Sequence, residues 1–155
     1  MFSAKLNKKT HITTKDLKAM LKSKSVKVGL PASVGAKMHD ESDLSVAAIG
    51  AIHEFGSPAR NIPERSFIRT TMQEEQNNIK KLFKKEAEKL MDGEQDVDGM
   101  LGIVGAYVSA KIKKKITDIK TPPNAEATVN AKGSSNPLID SGQMRQSVTW
   151  EIVND

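Results

Sequence analysis

The sequence has 155 residues, which predicts one domain large enough to bury an ordinary hydrophobic core. It contains no cysteine, which excludes disulfides, thiolate metal sites and a cysteine nucleophile, and aromatic residues make up only 4% of it. No apolar run approaches the roughly 18 residues of a membrane-spanning helix, and the basic N-terminus lacks the apolar stretch of a secretory signal. We therefore expect synthesis in a reducing cytosol and no membrane partner.

The net charge of +5 is unevenly distributed along the chain. Residues 1–40 carry nine lysines and two acidic residues, whereas residues 41–98 carry eight basic and twelve acidic residues. Residues 99–155 carry seven basic and five acidic residues. The positive charge is therefore a scatter of lysines near the N-terminus, which suits contact between subunits better than a base-reading surface.

The first part of the chain predicts an arm, a short helix and a strand. Residues 1–12 are polar and lysine-rich, which is typical of a mobile basic arm, and residues 13–155 then form a single domain. Thr13 or Thr14 is a candidate N-cap for a short helix with an apolar stripe. Alternating apolar and polar residues at 25–30 predict a strand.

The next segment predicts a helix between two loops. Residues 31–43 contain proline, glycine and several charges and predict a loop. Apolar residues then recur every three positions, which favours a helix over about 44–54 that ends at Gly56, with a strand as the alternative. Residues 56–65 contain two prolines and predict a second loop.

Two long amphipathic helices are predicted next, over 66–91 and 97–120. The second contains three glycines spaced by threes, Gly99, Gly102 and Gly105, which would let another helix or subunit approach closely. These glycines do not form a dinucleotide-binding loop, because their spacing differs from that motif and no predicted strand precedes them.

The C-terminal part predicts a long polar loop near 121–136, then a capped turn and a strand. Asp140 or Ser141 is the candidate N-cap of that turn. Alternation over 147–153 predicts a half-buried strand. The resulting fold class is α+β, with a small antiparallel sheet packed against two long helices.

The sequence disfavours an enzyme and predicts no metal and no cofactor. His53 and Glu54 are adjacent, but the zinc-protease motif needs a second histidine where Ser57 stands. Ser141 lacks the glycine two residues earlier that a hydrolase nucleophile requires. A hydrolase would need a pocket that converges on His53 and Glu54.

Two lysine-rich stretches, at 80–85 and 111–115, raise the alternative of nucleic-acid binding. Both lie on predicted amphipathic helices, and lysine runs on such helices more often form a solvated face than a nucleic-acid binding site. No aromatic stacking motif or zinc-finger spacing supports base readout. Binding through the basic arm and these lysine faces would therefore be non-specific, made to phosphates and sensitive to salt.

Two groups of motifs are not explained by general folding patterns. One comprises residues 51–56 (AIHEFG) and 62–69 (IPERSFIR), and the other comprises residues 137–150 (PLIDSGQMRQSVTW). In order and spacing they resemble the small tail-completion or neck proteins of tailed bacteriophages, including virion-morphogenesis proteins of Mu-like phages. That family typically shows A-x-H-E-F-G, I-P-x-R-P-F-[IL]-R and P-L-[IV]-D-T-G-x-L-[RK]-x-S-[IV].

The resemblance covers most of residues 46–153 and departs from the family pattern at three positions. Ser66 stands where the family usually has proline, Ser141 where it has threonine and Met144 where it has leucine.

The resemblance implies a non-enzymatic structural protein of the virion, made in the cytoplasm of the host bacterium. Such subunits form rings at the neck or the upper end of the tail and join the head connector to the tail. The implied partners are other copies of the chain, connector or neck proteins, and tail-tube or terminator proteins. Phage DNA would pass through the channel without sequence-specific contacts.

No catalytic residue is carried over, and the motif residues receive structural or interface roles. Phe55 and Phe67 would be core or interface anchors, and Arg65 would form a bidentate bond to a carboxylate or to backbone carbonyls. Gly56 and Pro63 would shape a turn. Asp140 and Ser141 would cap the turn before the strand of Trp150. The full set is His53, Glu54, Phe55, Gly56, Pro63, Arg65, Phe67, Arg69, Leu138, Asp140, Ser141, Gly142 and Trp150.

Overall fold

A computed structural model describes residues 12–40 and 42–154, and the predicted arm lies outside them except for Ile12. In this part of the chain there are seven α-helices and two strands. A 3-10 turn at Pro58–Arg60 follows the third helix. In chain order the elements are α1 (Thr14–Lys22), β1 (Lys24–Gly29), α2 (Ala32–Gly35), α3 (Val46–Phe55), α4 (Ile68–Met91), α5 (Val97–Asp118), α6 (Glu126–Lys132), α7 (Gln143–Ser147) and β2 (Thr149–Asn154).

The two strands pair antiparallel although more than 100 residues separate them. Val26 lies opposite Ile152, and Val28 lies opposite Trp150. Helix α5 packs against both strands and against α4. The predicted α+β class, with two long helices against a small antiparallel sheet, is confirmed. None of the described helices is both long and apolar enough to cross a bilayer.

The hydrophobic core follows the predicted stripe of α5. Val104, Val108, Ile112 and Ile116 are all buried, because they recur every three or four residues on the side of the helix that faces inward. They pack with side chains from α3, the start of α4 and the C-terminal segment, namely Val46, Phe67, Leu138, Met144 and Val148. A second cluster joins α1 to the α4–α5 turn through Leu17, Ala87, Leu90, Val97, Met100 and Leu101.

Two segments predicted as loops each contain a short helix. The polar segment 121–136 contains α6, which ends at Gly133 with φ +64°. No residue of α6 is buried, so it has no apolar periodicity that the sequence could reveal. Helix α2 likewise lies within the segment 31–43, which the sequence predicts to be a loop.

The predicted caps are confirmed at α1 and α3 and wrong at α7. Thr13 and Asp16 form a reciprocal capping box at the start of α1, and Gly56 ends α3 at φ +74°. The N-cap of α7 is Gly142 rather than Asp140 or Ser141. Its φ of +83° is left-handed, a conformation that favours glycine. Ser141 accepts one long bond, 3.4 Å from the backbone nitrogen of Gln143.

Two of the three glycines of α5, Gly102 and Gly105, admit a strand side chain and not another helix. The indole of Trp150 lies over Gly102 and Gly105. A Cβ at Gly105 would lie 2.8 Å from Cγ of Trp150 and 2.9 Å from Val26 Cγ2. Small residues are thus needed here so that the sheet can reach the helix.

Candidate functional site

The two motif groups, far apart in sequence, meet in the structure. Helix α3 packs against α7. A cavity of about 250 Å³ lies between the two groups and is lined by Ile49, His53, Leu138 and Asp140. We call residues 46–69 together with 121–148 the motif region.

Glu54 anchors α3 to the start of α4. Its carboxylate accepts bonds from the backbone nitrogens of Phe67 (2.8 Å), Ile68 (2.8 Å) and Arg69 (2.9 Å). It also accepts a bond from the Ser66 hydroxyl at 2.7 Å. Only 5% of Glu54 is exposed. A carboxylate suits this place, because the first N–H groups of a helix lack partners and carry partial positive charge.

Arg65 ties the α3–α4 loop to the segment after α5. Its Nε donates to the carbonyl of Pro122 at 2.7 Å, and its Nη2 donates to the carbonyl of Pro123 at 2.9 Å and to Asn124 Oδ1 at 3.3 Å. The side chain is buried, which lowers the pKa of the guanidinium from its usual value. The predicted bidentate bond to backbone carbonyls is confirmed.

His53 lies next to Glu54 in sequence but faces a different environment. Its Nδ1 is buried and has no hydrogen-bond partner among the described residues. Burial, together with the positive charges of Arg65 and Lys132, lowers the pKa of the imidazole from 6.5 to about 4. His53 is therefore neutral at pH 7. The Glu54 carboxylate is engaged at α4, so the His53–Glu54 pair that a hydrolase would need is not formed.

Phe55 is not a core residue, because 67% of it is exposed, whereas Phe67 is fully buried. Apart from His53 and Glu54, every residue of α3 is apolar or glycine. Such a helix is usually buried on all sides. Phe55 instead forms one wall of a groove of about 400 Å³, whose other apolar walls include Leu30, Ala47, Gly50, Ala51 and Ile68.

The remaining motif residues shape this region. A Cβ at Gly56 would lie 2.9 Å from the backbone nitrogen of Glu64, so the turn requires glycine. Arg69 forms an exposed ion pair with Glu64. Pro63 is exposed and Leu138 is buried.

The two lysine-rich stretches differ in their ion pairs. In the first, Lys80, Lys81, Lys84 and Lys85 are exposed and form no ion pair within the described chain. In the second, three lysines pair with acidic residues, in the pairs Lys111–Glu75, Lys114–Asp118 and Lys115–Glu74. Among the described residues, the stretch on α4 therefore presents four lysines without an ion pair, whereas the stretch on α5 presents one, Lys113.

The sequence interpretation missed Glu86, a buried charge in the α4–α5 scaffold. Its carboxylate accepts bonds from Lys89 at 2.8 Å and from Gln95 at 3.0 Å. The sequence feature that indicates its burial is its position in the apolar stripe of α4, three residues after Phe83 and four before Leu90.

No group of three or more histidine, aspartate and glutamate side chains within the described ranges could hold a metal ion. Comparison with known proteins gives no relatives, since no family model, curated protein or solved structure matches this chain.

Proposed function

We propose that this chain is a structural subunit of a tailed-phage particle, a ring-forming neck or tail-completion protein that connects the head connector to the tail. The proposal rests on the two motif groups, which resemble that family. The observation that carries it is the exposed apolar face of α3, at the centre of the first group. A second copy of the chain is the partner that we assign to this face.

The chemistry of the face suits a neighbouring copy. Phe55 projects beside an apolar groove, so one surface offers both an anchor and a place for apolar side chains. Two charged residues, Glu54 and Arg69, line the groove. Arg69 pairs with Glu64, and the buried Glu54 carboxylate is held by the N–H groups at the start of α4. The face therefore exposes little net charge, and two copies can approach without the repulsion that like-charged surfaces would produce.

The other roles follow from the same proposal. The ring would meet connector or neck proteins on one side and tail-tube or terminator proteins on the other. DNA would pass through it without sequence-specific contacts. The chain would be made in the cytoplasm of the host and would end in the virion, with no catalytic activity and no cofactor.

Sedimentation velocity over a wide concentration range tests the assembly surface. We expect wild type to self-associate and Phe55→Ser to associate at least tenfold more weakly, because exposed aromatic anchors dominate such contacts. Ile103→Ser is the matched control, since Ile103 is also an exposed apolar residue but lies on α5. A monomer at all concentrations, or equal weakening by both variants, would contradict the proposed surface.

The virion role needs its own test. Gold-labelled antibody against the chain, applied to purified particles, should mark the junction of head and tail. Labelling elsewhere, or none on particles that contain the chain by mass spectrometry, would refute the neck assignment.

Non-specific nucleic-acid binding is the second candidate, supported by the four unpaired lysines of α4. Spaced i, i+1, i+4 and i+5, they share one side of the helix and could contact successive phosphates. Replacing all four with glutamine should flatten the salt dependence of duplex DNA binding by about three to four in the slope of log K against log salt. The matched control replaces Lys111, Lys114 and Lys115 and should change the slope little. Equal slopes in wild type and the α4 variant would exclude the α4 lysines as the binding surface.

A further inference from the structure

A cleft separate from the α3 face lies between the loop after α3 and the segment before α6. Its volume is about 680 Å³. The polar side chains that line it include His53, Arg60, Arg65, Asn124 and Thr128, and none of the described residues that line it is acidic. Within the described chain, the cleft therefore presents two guanidinium groups and several neutral donors without a carboxylate on its walls.

Asn124 offers an unused donor to this cleft. Its Oδ1 accepts a bond from Nη2 of Arg65 at 3.3 Å, which fixes the orientation of the amide. Its Nδ2 is buried and has no hydrogen-bond partner among the described residues. A buried amide N–H without a partner is costly, so this atom requires an acceptor.

His53 offers a second unused atom. Its Nδ1 is buried without a partner in the described chain, and a neutral imidazole can carry its single proton at Nδ1 and donate from there. His53, Asn124 and Thr128 line both this cleft and the neighbouring 250 Å³ cavity, so they form the wall between the two. One acceptor group at this wall could accept hydrogen bonds from both His53 Nδ1 and Asn124 Nδ2.

The electrostatic surroundings favour an anionic acceptor. Arg60 is exposed and forms no ion pair within the described residues. Arg65 donates its hydrogen bonds to neutral oxygens, so these partners do not neutralise its positive charge. Lys132 adds positive charge beside the neighbouring cavity, where His39 and Asp140 also lie. Asp140 is the one carboxylate among the described residues that line that cavity, and it does not line the cleft.

We propose that this cleft is a binding site for a small oxyanion, a carboxylate or phosphate group, held by Arg60, Arg65, Asn124 and His53. This inference is independent of the assembly role. A bound anion also stabilises the imidazolium form of His53, so binding is expected to raise its pKa from about 4 and to strengthen as the pH falls.

NMR titration of the full chain with sodium phosphate, with sodium acetate and with sodium chloride at matched ionic strength tests the site. We expect the Asn124 side-chain amide and the His53 ring to respond saturably to phosphate or acetate and not to chloride. Saturation by phosphate alone assigns the site to phosphate groups, and saturation by acetate alone assigns it to carboxylates. A response to both anions that matches chloride means that water satisfies these atoms, and it overturns the proposal.

Two variants and a control complete the test. Arg60→Gln removes an exposed charge and should weaken binding about tenfold, and Asn124→Asp, which replaces a donor with a carboxylate, should abolish it. Arg145→Gln removes the same charge from an exposed residue of α7 that does not line the cleft, and should leave affinity unchanged. Equal affinities of Arg60→Gln and wild type would refute the proposal even if Asn124→Asp failed to fold.

Discussion

The scaffold of α4, α5 and the sheet differs from the motif region in how its polar groups are satisfied. In the scaffold, buried polar side chains have close partners. Glu86 binds Lys89 and Gln95, the Thr71 hydroxyl donates to a carbonyl at 2.6 Å, and the Ser109 hydroxyl donates to another at 3.0 Å. In the motif region, two buried polar atoms lack partners in the described chain, and the most exposed large apolar side chain is Phe55.

The two regions therefore differ in role: the scaffold supports the fold, and the motif region leaves groups that a partner can bind. The buried polar side chains of the scaffold find their hydrogen-bond partners within the chain itself, so they need no external group. The motif region leaves an apolar face on α3 and unused donors in the neighbouring cleft, both of which an external group could satisfy. Glu54 and Arg65 are the exceptions within it: Glu54 joins α3 to the start of α4, and Arg65 joins the two parts of the motif region to each other.

The largest expected effect comes from breaking that join at Glu54. Glu54→Ala removes the acceptor of three backbone N–H groups and the Ser66 hydroxyl, and should lower the free energy of unfolding by about 3 kcal/mol in urea denaturation. Glu64→Gln breaks only an exposed ion pair and should cost less than about 1 kcal/mol. Equal costs would mean that the cap at α4 is not a structural anchor.

Acid should weaken the motif region through His53. The unfolded imidazole has its ordinary pKa of 6.5 and the folded one a pKa of about 4, so between these values the unfolded chain binds more protons. The free energy of unfolding should therefore fall as the pH drops from 6.5 towards 4, by about 1–2 kcal/mol at pH 5, allowing for partial solvation.

Urea midpoints measured at pH 7.5 and pH 5 in cationic Bis-Tris buffer check this prediction without adding an oxyanion. The difference should shrink in His53→Gln and persist in His39→Gln. A pH dependence that His53→Gln leaves unchanged would show that His53 is not its source.

The scaffold was the more predictable of the two regions. Its helices have apolar residues at a regular spacing, and its strands alternate apolar and polar residues. These local patterns were enough to predict α4, α5, β1 and β2. In the motif region, the resemblance singled out Arg65, and guanidinium geometry predicted a bidentate bond to a carboxylate or to backbone carbonyls without deciding between them.

What sequence could not supply depends on contacts between distant segments. Glu54 caps a helix that begins 14 residues later, and nothing local distinguishes it from a catalytic partner of His53. Residue type alone did not reveal that Phe55 is exposed while Phe67 is buried. Helix α6 packs no side chain into the core, so it left no apolar pattern.

A smaller effect is expected where the sheet meets α5. Gly105→Ala would place a Cβ within 2.9 Å of Cβ of Trp150, close to the strand backbone, so β2 must move. We expect a net loss of about 1 kcal/mol in thermal or urea unfolding, after the helix propensity gained by alanine. Gly102→Ala meets only the outer edge of the indole, at 3.2 Å, and should be neutral or stabilising. A neutral Gly105→Ala would show that the sheet is not held tightly to the scaffold.

The smallest effect on stability should come from the surface ion pairs of the scaffold. Glu75 accepts bonds from Asn78 (2.7 Å), Lys111 (2.9 Å) and Tyr107 (2.7 Å), which hold the pKa of its carboxyl at about 2, and Glu74 pairs with Lys115. The double variant Glu74→Gln/Glu75→Gln should shift the urea midpoint less than Gly105→Ala does, because water screens surface charge pairs well. It should nevertheless increase heparin retention, since it frees two lysines to meet anionic groups. Unchanged retention would indicate that the lysines of α5 do not contact a polyanion, so that any such binding uses other basic residues.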